Sequence, residues 1–218
     1  MHTFIGDETS VMIEDLKQTF VNLARRYSAD EQIIHDSWSE IADHYSKKDR
    51  YYHNLEHLSN MLGELRDVEN RITAFEAVLY ALYYHDIIYD PSKGDNEEKS
   101  AELASQRLLQ LNVPSEAIAK CLKLILATKT HSVSDDPDIN FFCDADLSIL
   151  GAEPNRYSKY TQDIKNEYSI YPSVIFKSGR KNVLNHFLKM ERIFKSDHFH
   201  DKYESCARRN LAAELETL

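Results

Sequence analysis

Thr73-Ala-Phe-Glu-Ala-Val-Leu-Tyr-Ala-Leu-Tyr-Tyr-His-Asp86 is the stretch that decides how the chain is read. Phe75, Val78, Leu79, Leu82 and Tyr83 recur at spacings of three and four, which places them on one helix face. Thr73 and Glu76 have the spacing of a capping box at its start. A helix this apolar is predicted to be buried, and it ends on His85-Asp86. Burying a carboxylate there is costly unless positive charge offsets it. A divalent cation would do so. A solvated helix end is the plainer alternative, and the dipeptide by itself does not choose.

Helical spacing continues on both sides. Upstream, Leu16, Phe20, Leu23 and Tyr27 form one amphipathic series, broken at Ser28-Ala29-Asp30 before a second with Ile33, Ile34, Trp38, Ile41 and Tyr45. Leu58, Met61, Leu62 and Leu65 mark a helix with His57 at its beginning. Downstream, a loop around Asp90-Pro91 and Lys93-Gly94-Asp95 leads to helices from about Asn96 to Leu111 and about Ser115 to Thr130. Asp135 to Asp138 reads as a polar loop, and Phe141 to Gly151 as a short apolar helix capped by Gly151. Further helices are predicted near Arg156 to Tyr168, Ser173 to Phe194 and Phe199 to Leu215.

Bulk properties agree with this reading. The 218 residues, 42% hydrophobic and 28% charged, suit one well-buried domain, and five Gly with five Pro suit helices better than turn-rich sheets. The expectation is an all-α, single-domain bundle spanning 1–218. A net charge of -10 without a basic block argues against non-specific nucleic-acid binding, yet leaves room for a locally positive pocket. Cys121, Cys143 and Cys206 have no CxxC spacing and suggest a reducing compartment. Met1 to Ser10 has no leader pattern, and no long apolar run suggests a membrane span. The chain is therefore expected to be soluble, cytoplasmic and uncleaved.

What raises His85-Asp86 above a bland helix end is its company. His53 and His57 are spaced for one helical turn upstream, and Asp144 and Asp146 sit in an apolar segment downstream. Mixed imidazole and carboxylate donors suit Mn, Fe, Co, Ni or Zn, ions that lower the pKa of water and so support hydrolysis. On spacing alone, either of His53 and His57, and either of Asp144 and Asp146, would serve.

A histidine, a later His-Asp pair and a distant aspartate resemble the signature of the HD superfamily of metal-dependent phosphohydrolases. More narrowly, Arg50-Tyr-Tyr-His-Asn-Leu-Glu-His57, Tyr84-His-Asp-Ile-Ile-Tyr-Asp90, Asp95-Asn-Glu97 with Ser100-Ala101, and Asp146-Leu-Ser-Ile-Leu-Gly151 resemble the group described as "predicted metal-dependent HD phosphohydrolase". The resemblance covers most of the chain. It implies an HD-type bundle of about eight to ten helices, with the metal-site core within about 50–150. It also implies one divalent ion, Mg included, held by His57, His85, Asp86 and Asp146. His57 matches the first histidine better than His53, and Asp146 matches the last aspartate better than Asp144.

The implied activity is hydrolysis of a phosphomonoester on a small phosphorylated substrate, nucleotides included. Asp95 and Glu97 stand where similar enzymes place a carboxylate for positioning water or relaying a proton; an ordinary acidic helix start is the equal alternative. His53 and His131 become candidates for facing substrate, with a surface role the alternative for His131. Arg180, Lys165 and Lys181 are candidates for holding phosphate against a default of solvated surface charge, and Arg208-Arg209-Asn210 is weaker. Tyr52, Tyr84 and Tyr89 are candidates for lining the pocket or packing the core.

Three rivals accompany this reading. His53-Asn-Leu-Glu-His57 spells HxxEH, the zinc motif of inverted metalloproteases, but that reading leaves His85-Asp86 and Asp146 without work. Extra histidines would also suit a di-iron oxygenase of HD type. A non-catalytic metal- or nucleotide-binding module is the third, because intact ligands do not prove turnover.

Overall fold

The computed structural model describes residues 5–218, and their side chains from residue 10 onward. Residues 1–4 of the stretch read for a leader lie outside it. Among the described residues there are α-helices and short 3-10 turns and no strand, so the chain is all-α. No helix of the described residues is long and apolar enough to cross a membrane. The chain divides into two compact units, Met1–Ser132 and Val133–Leu218.

The first unit contains α1 (Ile5–Ala24), α2 (Glu31–Tyr45), α3 (Leu55–Asp67), α4 (Phe75–Tyr84), α5 (Asn96–Gln110) and α6 (Ser115–Ala127). Every residue of α4 from Ala77 to Tyr84 is buried, because α1, α3, α5 and α6 all pack on it. Phe20 of α1, Trp38 of α2 and Tyr83 of α4 form an aromatic cluster with centroids 5.1 to 6.5 Å apart, and the Tyr83 hydroxyl donates to the Leu16 carbonyl at 2.8 Å. Burying each such large side chain contributes roughly 1.5–3 kcal/mol. That packing fixes where α4 ends, and so where His85 and Asp86 stand.

Local signals set the other starts. Asp30 caps α2 by accepting from the N–H groups of Gln32 and Ile33, and Asn54 caps α3 by accepting from those of Glu56 and His57. Each such cap is worth about 1 kcal/mol. The expected Thr73 to Glu76 capping box does not form. Ala74 occupies the cap position of α4 without a side-chain bond, while Glu76 turns outward to Arg26 and the Tyr27 hydroxyl.

The second unit contains α7 (Pro137–Asp146), a 3-10 turn (Leu147–Gly151), α8 (Pro154–Glu167), α9 (Ser173–Lys189) and α10 (Asp197–Thr217). The expected loop at Asp135 to Asp138 instead starts α7, with Asp136 as N-cap and Pro137 in the first turn. Gly151 follows from close packing rather than from a left-handed cap: no described glycine has positive φ, and a Cβ at 151 would lie 2.5 Å from the Tyr203 Cβ of α10. The helix expected to run to Phe194 ends at Lys189. There Ile193 and Phe194 turn their N–H groups to the buried Glu204 carboxylate of α10.

Candidate metal centre

The site is built where α3 begins and α4 ends. His57 is held at the third position of α3 because Asn54 Oδ1 accepts its N–H at 3.2 Å. His85 follows the last residue of α4 and keeps helical backbone, its N–H bonding the Ala81 carbonyl at 2.9 Å. Both imidazoles are buried, at 5% and 1% exposure, and Asp86 keeps its side chain 18% exposed. The pair thus faces inward beside a carboxylate that reaches solvent.

Two donor atoms approach His85 Nε2. His57 Nε2 and His85 Nε2 are 3.2 Å apart, and Asp86 Oδ2 is 3.2 Å from the same His85 nitrogen. His85 Nδ1 lies 3.0 Å from the Leu82 carbonyl. A carbonyl only accepts, so Nδ1 carries the hydrogen, and a neutral His85 turns the lone pair of Nε2 toward Asp86 and His57. In that tautomer Nε2 and the Asp86 carboxylate both accept, and a cation or an added proton between them relieves the contact, whereas His57 Nε2 meets the same lone pair either with its own hydrogen or through an ion. Donors bound to one ion at about 2.0–2.2 Å lie roughly 3.0–3.5 Å from each other, and both approaches to His85 Nε2 fall in that range.

His53 borders the site without joining the close set. Its Nε2 is 3.9 Å from Asp86 Oδ2, and its ring lies against Tyr89 with centroids 4.2 Å apart. Tyr52 completes an aromatic rim beside His53 and His57. Tyr84 has no share in this rim: it is fully buried in α4 and belongs to the core. The expected single helical turn from His53 to His57 is absent, because α3 starts at Leu55 between them. A helical HxxEH zinc motif is therefore not formed.

The remaining sequence candidates separate by environment. Asp95 is exposed and pairs with Lys99 at 2.9 Å, and the bond from Lys99 holds its carboxyl below the usual carboxylate range. Glu97 is half-buried, 3.9 Å from the Lys129 ammonium. Their neighbours Asn96 and Ser100 have clear structural work: Asn96 exchanges two hydrogen bonds with the Asp90 backbone, and Ser100 bonds the N–H and carbonyl of Ile88. Those bonds pin the loop that follows His85-Asp86. His131 is half-buried just past α6 in left-handed backbone, φ 48°, a conformation uncommon for a non-glycine residue.

In the second unit, Asp146 is the half-exposed last residue of α7, and Asp144 is completely buried. Asp144 accepts from the N–H groups of Lys195 and Ser196 and from the Ser196 hydroxyl at 2.7 to 2.8 Å, anchoring the start of α10. Burial holds its carboxyl above the usual carboxylate range, and those donors offset only part of the rise. Arg180 is buried in a bidentate pair with Glu214 at 2.7 and 2.9 Å and lies over the Tyr160 ring, so its charge is accounted for without phosphate. Lys165 and Lys181 are exposed. Arg208 spans Glu204 and the carbonyls of Leu188, Met190 and Glu191, while Asn210 bonds the carbonyls of Leu150 and Ala152; both serve packing.

The sequence reading gave no role to His44, placed Tyr45 only on the apolar face of its helix and named Arg50 only within a motif, yet all three touch the backbone of Asp86 or Ile87. Nothing in a sequence separates a buried arginine or tyrosine of this kind from an ordinary one. No family model, curated protein or solved structure matches the chain.

Proposed function

We propose that the chain is a metal-dependent phosphohydrolase of HD type, acting on a phosphomonoester of a small metabolite such as a nucleotide. The observation that supports this most is the approach of both His57 Nε2 and Asp86 Oδ2 to His85 Nε2, each at 3.2 Å. His57, His85 and Asp86 would hold the ion, with Asp146 the further ligand that the sequence resemblance implies. Asp146 is preferred to Asp144 on a second ground as well, since the Asp144 carboxylate is already taken up by Lys195 and Ser196. The ion would supply a Lewis acid for the phosphoryl oxygen and lower the pKa of water.

The chain's own residues have separate tasks in this reading. Leu82 fixes the His85 tautomer through Nδ1, so its Nε2 is available as a donor without a proton to remove. His53, with its ring on Tyr89 and Nε2 near Asp86, borders the place where the phosphate would sit. Glu97 is the better placed of the two relay candidates, being half-buried where Asp95 is exposed and paired with Lys99. Arg180 drops out of the phosphate-holding set because Glu214 meets its charge, which leaves Lys165 and Lys181 in it, with His53 and His131 as the substrate-facing candidates.

A phosphatase screen across phosphomonoesters, with Mn, Fe, Co, Ni, Zn and Mg supplied in turn, tests the proposal. Release of inorganic phosphate that depends on the added ion is expected, and it should disappear in Asp86→Ala. Tight nucleotide binding without turnover under every ion would instead favour the regulatory module.

A further inference from the structure

Arg50 is 6% exposed, yet no carboxylate pairs with it among the described residues. Its Nη1 donates to the carbonyl of Asp86 at 2.5 Å and to that of His53 at 3.2 Å, and its Nη2 donates to the carbonyl of Ile87 at 2.8 Å. The guanidinium lies over the rings of Tyr45 and Tyr89, 4.9 and 5.4 Å from their centroids. Its Nε has no hydrogen-bond partner. A buried cation facing only carbonyls and aromatic rings is desolvated without the return an ion pair would give. What it gains is geometric: one planar fork ties the segment before α3 to the turn after α4.

Two neighbours act on the same turn. The Tyr45 hydroxyl accepts the N–H of Asp86 at 3.1 Å, so the Asp86 backbone is held by Tyr45 at its amide and by Arg50 at its carbonyl. His44 Nδ1 lies 2.8 Å from the Ile87 carbonyl, which only accepts, so the ring donates there. With the Asp86 backbone fixed on both sides, the carboxylate swings about its own side-chain torsions alone.

We propose that Arg50, seconded by Tyr45, is a positioning residue for the ligand set, fixing where Asp86 stands relative to His57 and His85. This role rests on the metal reading above. Arg50 touches no donor atom of the set and acts through the backbone of Asp86 and His53. Lysine cannot replace it, since an ammonium on a flexible stem does not span those carbonyls with one rigid plane.

The test titrates Co2+ into wild type, Arg50→Lys and Tyr45→Phe, following the visible d–d absorption, with the far-UV spectrum and melting temperature of the metal-free proteins as the fold control. Arg50→Lys is expected to bind Co2+ on the order of ten- to a hundred-fold more weakly, with a displaced or weakened band. Tyr45→Phe keeps the core shape and should weaken binding by about fivefold, the loss of one hydrogen bond. If both variants bind with wild-type affinity and spectrum, Arg50 is merely a packing residue and the inference fails, even where the metal-free melting temperature has dropped. If Arg50→Lys does not fold, Tyr45→Phe alone decides by the same criterion. Wild type that binds no Co2+ overturns the metal reading itself, which is a different failure.

Discussion

His57 Nε2 and His85 Nε2 lie 3.2 Å apart, and the Leu82 carbonyl decides that the His85 nitrogen in that pair is the one without a hydrogen. The two rings come from the start of one helix and the end of another, both bound to the same apolar core. Their approach is therefore a product of how α3 packs on α4, and variants outside the core should alter it little.

Asp144 and Asp146 are two residues apart and are expected to behave oppositely. Asp144→Asn replaces an anion that takes three donors with an amide that carries donors of its own, and should lower stability by about 2 kcal/mol while the folded protein keeps its metal. Asp146→Asn should leave the metal-free protein close to wild type and weaken metal binding. Urea unfolding alongside metal analysis distinguishes them, and a folded Asp144→Asn protein that had lost its metal would reverse the assignment.

Arg180→Ala leaves the Glu214 carboxylate nearly buried without its cation, the Tyr157 hydroxyl being its remaining donor. Breaking such a pair should cost about 3 kcal/mol. Chemical denaturation measures the loss. Unchanged stability with lost phosphatase activity would restore Arg180 to the phosphate-holding role.

Glu40 accepts from Arg107 Nε and Nη2 at 2.6 and 2.8 Å, with both side chains about a quarter exposed. The bond from Arg107, against the opposing effect of burial, holds the Glu40 carboxyl below its ordinary range. A depressed folded pKa adds stability that is fully present above the unfolded pKa, about 4.3, and is lost as the pH falls through the folded value. Glu40→Gln should therefore cost about 1 kcal/mol at pH 7 and progressively less below pH of about 4. Unfolding curves at both pH values check this, and a deficit that stayed constant with pH would mean that the pair's charge contributes nothing.

Helix content was legible because burial writes itself into spacing: Val78, Leu79, Leu82 and Tyr83 mark α4 and are all buried in it. Helix starts were legible at Asn96, Ser115 and Ser173, where no side chain caps the helix, and not at Asp136, whose capping signal lay in a stretch that read as a loop. Asp136-Pro137 carries that signal in plain form, whereas Thr73 has the right spacing beside a helix that begins without it. His57, His85 and Asp86 were legible as types in a pattern, and the structure sets His57 and Asp86 each 3.2 Å from His85 Nε2. Asp144 and Arg180 were not legible as structural residues, because their partners Ser196 and Glu214 lie 52 and 34 positions away and no periodicity connects them. Arg50 was hidden for a related reason: its partners are backbone carbonyls, which every sequence has everywhere.

Metal content per chain, measured on the purified wild type, His57→Ala and Asp86→Ala after loading with one divalent ion and removal of the excess, tests the central claim most directly. Wild type should retain about one ion per chain, and each variant should lose it while keeping its helical far-UV spectrum. Full metal content in both variants would contradict the account.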